Sequence, residues 1–215
     1  MALSKVNFNS MNVTPSASKA IKFNSSNNGL ETGDLGGSLV LLETQTASSS
    51  STITFDSNIN STYKEYQVHY IDVHPATDNQ NFQVNFRDGS TAYDAQKTTT
   101  FSTVQHKEDN SATSLAYSTG NDLALGTGFQ TLAYAVTNDN DGSVSGKLHI
   151  FDPSSTTFSK QFISRANAMV DDGGIQTTDF IIGGYCTTTA AIDGIQFKFA
   201  SGNIDAGTFK LYGVL

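Results

Sequence analysis

The chain has 215 residues, and 12 Lys and Arg stand against 20 Asp and Glu, for a formal net charge of -8. Only 15% of the residues are charged, yet there are 14 Phe and 8 Tyr. That balance excludes an acidic disordered chain and describes a folded, neutral-polar protein with an aromatic core. The cations are scattered without a run, which excludes the basic stripe that a nucleic acid or an anionic membrane demands, and no apolar run reaches the length of a membrane span.

Residues 1–38 differ in composition from the rest of the chain. They are rich in Asn, Ser and Gly, with isolated hydrophobics at Val6, Phe8, Val13, Ile21 and Phe23, too few to bury a core of their own. The alternation in KAIKF predicts one short strand, and Asn27 to Gly29 reads as a turn. The segment is read as an extended N-terminal docking arm, the alternative being a disordered leader, and residues 39–215 as the β-sandwich domain. The opening MALSKVNFNSMNVT has one lysine and no apolar core, unlike a secretory signal, so synthesis and folding in a cytoplasm are expected.

SLVLLETQ and TITF predict two short strands around a solvated loop at Ser48 to Ser51. In YKEYQVHYIDVHP, Tyr66, Val68 and Tyr70 share one face, while Gln67, His69, Ile71 and Val73 share the other. Bulky groups on both sides predict a central strand covered on both faces and ended by Pro75. NFQVNFRDG places Phe82, Val84 and Phe86 inward and closes at Asp88-Gly89. TTTFSTVQH is a weaker strand. SATSLAYSTGNDLALG lacks alternation and reads as an irregular loop or one helical turn. FQTLAYAVTN alternates through Leu132, Tyr134 and Val136, and SVSGKLHIFD pairs with FSKQFISRANAMV across a proline-led turn. DFIIGGYC, GIQFKFAS and GTFKLYGV complete the set, the last two as a wide hairpin around SGNIDAG. About ten strands and no amphipathic helix predict an all-β, antiparallel β-sandwich, jelly-roll-like, behind the N-terminal arm.

Reactive constellations are scarce. The single cysteine, Cys186, permits no intrachain disulfide, and its apolar strand setting reads as a small buried core residue. His69, His74, His106 and His149 show no short metal-ligand spacing. GSVSG has Val144 where a nucleophile elbow needs serine. NDNDG imitates a calcium loop, but its twelfth position is Leu148 in place of a bidentate Glu. Asp171 and Asp172 are adjacent, so they point apart in a strand and make a poor acid/base pair. No catalytic, cofactor-binding or metal residue is assigned, and no cofactor is expected. The sequence holds no Trp, which removes the best sugar platform, and Tyr63, Tyr93, Tyr117 or Tyr185 would have to substitute for it on a sandwich that can host a carbohydrate site.

The phrases STYKEYQVHYIDVHPATDNQNFQVNFRDGSTAYDAQKTTTF, SGKLHIFDPSSTTF and AAIDGIQFKFASGNIDAGTFKLYGVL resemble virion structural proteins of tailed phages of marine bacteria, cyanophages especially, over roughly residues 51–215. The arm segment NVTPSASKAIKFNSSNNGLETG is similar to leaders on other such proteins. The resemblance implies a non-enzymatic, oligomeric virion component, tail-fibre-like or a capsid decoration, made in the host cytoplasm. Other virion proteins would be its partners and a trimer its assembly. It carries no active-site residue over, and it leaves capsid and tail both open. The alternatives are a glycan-binding adhesin module that meets a host surface glycan and, third, a hydrolase with scattered catalytic residues.

Overall fold

The computed structural model describes residues 13–14, 19–26, 28–33 and 38–215. Val6, Phe8 and Asn27 therefore lie outside the described residues. The chain divides into two units, residues 1–38 and 39–215. In the first, the predicted KAIKF strand is β1 (Ala20–Phe23), and a second strand, β2 (Leu30–Gly33), not expected from the sequence, pairs with it antiparallel. Lys22 and Glu31, directly opposite, are 3.5 Å apart.

The second unit contains β3 (Leu39–Ser50), β4 (Ile53–Phe55), β5 (Glu65–Pro75), β6 (Gln80–Arg87), β7 (Lys97–Lys107), β8 (Thr113–Tyr117), β9 (Gln130–Val136), β10 (Val144–Phe151), β11 (Lys160–Asp171), β12 (Ile175–Cys186), β13 (Gly194–Phe199) and β14 (Ile204–Val214). Every pairing is antiparallel, and four of them nest one inside the next. β3 pairs with β14, β4 with β13, β5 with β10, and β6 with β9. β14 also pairs with β5, and β13 with β6. The result is two four-stranded arrays, β3-β14-β5-β10 and β4-β13-β6-β9, which is the jelly roll.

Two insertions elaborate it. β7 and β8 lie between β6 and β9, and β11 and β12 between β10 and β13. All four join the first array edge to edge, in the order β10-β11-β12-β7-β8, and extend it to eight strands. The smaller sheet meets the larger along its β9 edge, where Val136 pairs with Val170 of β11.

Alternation explains the core. Phe82 of β6 stacks on Phe197 of β13, with centroids 5.8 Å apart and planes at 11°. Across the sandwich Phe82 meets Tyr70 of β5 at 5.2 Å, and Phe197 meets Phe209 of β14 at 5.4 Å. A second cluster, Phe101, Tyr134 and Phe180, fills the space beneath the extension. Each such ring contributes roughly 1.5–3 kcal/mol on burial. Tyr70 keeps its hydroxyl satisfied inside this core by a 3.0 Å hydrogen bond with Ser164.

Several local expectations are corrected. Ser48 to Ser50 belong to β3, not to a loop, because β14 supplies a partner along that tract and Ser49 takes a positive φ of 53°. β5 is central but covered on one face only. Asp72, at φ 52°, inserts a bulge that turns Val73 inward with Tyr66, Val68 and Tyr70 and leaves Ile71 exposed. TSLAY forms β8, an edge strand exposed on both faces, where burial imposes no alternation. In β9 the alternation breaks, with Ala133 as buried as Leu132, because the register shifts against β6 and Ala135 adopts φ 50°. β13 and β14 are no hairpin: they belong to opposite sheets, and the segment between them carries the chain across the end of the sandwich, with Gly202 at φ 74°.

Candidate functional site

The outer face of the eight-stranded sheet is a broad surface. Inward residues of β10 and β11, such as Leu148, Phe162 and Ser164, are buried, so their neighbours Lys147, His149, Ile163 and Arg165 point outward. Register then aligns residues distant in sequence into rows across the strands. One row runs Lys210, His69, Lys147, Arg165, Ile181, Ser102, Tyr117, each directly opposite the next. The next row runs Tyr212, Gln67, His149, Ile163, Gly183, Thr100. The His69 and Tyr212 rings are tilted against each other at 4.8 Å.

Between the rows lies a trough of about 430 Å³, lined by Lys147, His149, Ile163, Arg165, Ile181 and Gly183 among others. This is within the usual size range of ligand sites. Ile163 is 50% and Ile181 45% exposed. Arg165 holds the carboxylate of Asp179 with both arms of its fork, at 2.7 to 3.1 Å. Lys147 and Lys210 have no ion-pair partner among the described residues. His149 Nδ1 is 2.9 Å from Glu65, and its buried Nε2 has no hydrogen-bond partner. Burial lowers the pKa of both His69 and His149, and for His69 the charges of Lys147, His149 and Lys210 lower it further.

The residues singled out from the sequence scatter. Tyr63 is half-buried edge-to-face on Tyr66 at 5.7 Å, and Tyr93 sits against the Arg87 guanidinium with its hydroxyl buried. Tyr117 and Tyr185 do share the outer face and are 52% and 41% exposed, but they stand two strands and about four residues apart. Of the histidines, His69 and His149 come together beside the trough. His106 bonds Asn110 near the tip of the β7–β8 hairpin, and His74 lies at the far end of β5. The NDNDG turn brings Asn140 and Asp141 into an acidic hollow of about 440 Å³ with Asp72, His74 and Asp205. Asp171 caps the β11–β12 turn through the Gly174 amide. Among the described residues no three His, Cys, Asp or Glu side chains converge as metal ligands.

Cys186 is fully buried, as expected, but its neighbours are not apolar alone. Lys160 and Lys97 flank it in register on β11 and β7, and both are wholly buried. Lys97 Nζ donates to the carbonyls of Ala95 and Gly128 at 2.9 and 2.8 Å, and Lys160 Nζ to Thr188 at 3.2 Å. These lysines tie the 118–129 and 187–193 connections to the sheet. Burial pushes the Cys186 thiol up to about 12, so it is an inert core group.

The cation row and the trough escape a reading along the chain, because Lys210, His69, Lys147 and Arg165 meet only through strand order. The one local signal was the glycine pair in FIIGGYC. No protein-family model matches the chain, and no curated protein matches it.

Proposed function

We propose that the chain is a non-enzymatic bacteriophage virion protein, tail-fibre-like or a capsid decoration, displayed as a homo-oligomer and attached through residues 1–38. The observation that carries this reading is where the jelly roll places its insertions. β7, β8, β11 and β12 enlarge one sheet from four strands to eight and so create a broad surface. Beyond the trough, towards its free edge, that surface exposes Val104 and Leu115, directly opposite each other on β7 and β8, an apolar patch suited to neighbours in an assembly. Its outermost strand, TSLAY, carries no charge or proline to discourage strand pairing.

The arm supports attachment in its own way. A two-stranded ribbon is marginal alone, and β1–β2 leaves Phe23 71% and Ile21 40% exposed, ready for a partner. The resemblance of the long phrases in residues 51–215 points the same way. Mass spectrometry and cryo-electron microscopy of intact particles test the proposal: the chain should be present in stoichiometric copies with residues 1–38 ordered against another virion protein. Light scattering on the purified chain should give a trimer. Absence from particles, or a monomer throughout, overturns it.

A further inference from the structure

Two features of the outer face are at odds with what the fold alone would choose. The first is Gly183. Glycine weakens a strand interior, and where it persists it marks a bulge, a tight corner or the close approach of another molecule. β12 runs in unbroken register with both neighbours past this point, so there is no bulge. Its companion Gly184 is demanded by packing: a Cβ there would meet Thr99 Cγ2 at 2.7 Å and the Thr98 carbonyl at 2.8 Å. At Gly183 a Cβ would meet only Thr100 Oγ1, at an ordinary 3.6 Å, and φ is not left-handed. The fold has room for a side chain at Gly183, and its absence opens the floor of the trough.

The second feature is the row of cations. Like charges directly opposite on neighbouring strands destabilise a sheet. Here Lys147 stands directly opposite Arg165, and Lys210 lies in the same row beyond His69, three cations on four consecutive strands in a protein of net charge -8. Only Arg165 is neutralised, by Asp179. With strands about 4.8 Å apart, Lys210, Lys147 and Arg165 span roughly 14 Å across the sheet, ending at the trough. A ligand that needs both features is long, carries sparse negative charge and has apolar C–H faces to lay on Ile163 and Ile181.

We infer that this face is a binding track for an acidic polysaccharide, which crosses the strands over Lys210 and Lys147 and seats one sugar on Gly183 between Ile163 and Ile181. Sugar rings supply the apolar faces, and a carboxylate or sulfate on every second residue, about 10 Å apart, matches two strand spacings. Nucleic acid has a charge density that three cations interleaved with Asp179 and Glu65 do not answer. The inference specifies the glycan-binding alternative. It stands apart from the virion assignment, since a particle component with no affinity for sugar would leave that assignment intact.

Calorimetry on the full chain tests it, with four probes: hyaluronate oligosaccharides (carboxylate on alternate sugars), κ-carrageenan oligosaccharides (sulfate on alternate sugars), neutral dextran and a single-stranded oligonucleotide. One or both acidic sugars should bind and dextran should not, and the preferred acid identifies the ligand's charged group. Gly183→Leu and Lys147→Glu should each weaken binding about tenfold or more, the loss of one charge-assisted or fully packed contact. Lys198→Glu, on the smaller sheet, should bind as the wild type does. Circular dichroism confirms that each variant is folded. Failure of both acidic sugars, equal binding of dextran, tighter binding of the oligonucleotide, or wild-type affinity in the two trough variants overturns the inference.

Discussion

At the scale of residues, His69 and His149 couple the outer face to pH. His69 faces Lys147, His149 and Lys210, and His149 faces Glu65 and Lys147. Burial is the main cause for both, and it holds each below the ordinary 6.5. In the interval between the lowered folded values and 6.5, the unfolded chain binds protons that the folded chain refuses. The contribution of these groups is therefore complete above about pH 6.5 and declines as pH falls through that value. The melting temperature should drop between about pH 7.5 and about pH 5.5, and a His69→Gln, His149→Gln double variant should show a smaller drop. A double variant with an unchanged pH profile would show that neither imidazole is buried enough to matter.

At the scale of elements, β12 offers a paired comparison within two adjacent residues. Gly184→Ala pushes a methyl into Thr99 and the Thr98 carbonyl and should cost about 1–3 kcal/mol by overpacking. Gly183→Ala meets nothing closer than 3.6 Å and should be neutral or stabilise by up to roughly 1 kcal/mol, because alanine suits a strand better than glycine. Urea unfolding of the two variants separates them. The elements themselves were partly legible. Strands with one buried face, such as NFQVNFR and IQFKF, announce themselves through alternation, and their inward residues Phe82, Val84, Phe86, Ile195, Phe197 and Phe199 are all buried. β8 and the Ser-rich end of β3 have no buried face to enforce a pattern; their pairing partners, far away in sequence, define them. The partners of β13 and β14 were illegible for a related reason. Two adjacent alternating runs look alike whether they pair with each other or face each other across a core. The trough combines both difficulties: its glycine was visible, but the cations beside it align only once β14, β5, β10 and β11 lie side by side.

At the scale of the whole domain, the jelly roll makes most contacts between strands remote in sequence, such as β3 with β14 and β4 with β13. Closing such loops before contacts reward them makes folding slow, in the range of milliseconds to seconds for all-β domains. Stopped-flow refolding of the full chain should therefore be slow, with the tyrosine fluorescence change rate-limited by sheet closure. A submillisecond phase carrying the full amplitude would contradict the nested topology. The eight-stranded sheet also separates duties. Its inner face, with Tyr66, Tyr70, Phe101, Phe162 and Phe180, holds the sandwich together, and its outer face carries the cations and exposed isoleucines. Substitutions outside should alter recognition with little loss of stability, while those inside do the reverse.

The position of β14 between β3 and β5 has a consequence for biosynthesis. A polypeptide emerging from the ribosome makes β3 and β5 early, yet those two do not pair with each other; the gap separating them waits for residues 204–214. Until these arrive, both strands present bare amide rows to the surrounding solvent, and either can zip onto the wrong neighbour. A cell producing many copies at once would meet that hazard in every nascent chain, so yield should respond more to slower translation or added chaperone than to gains in native-state stability.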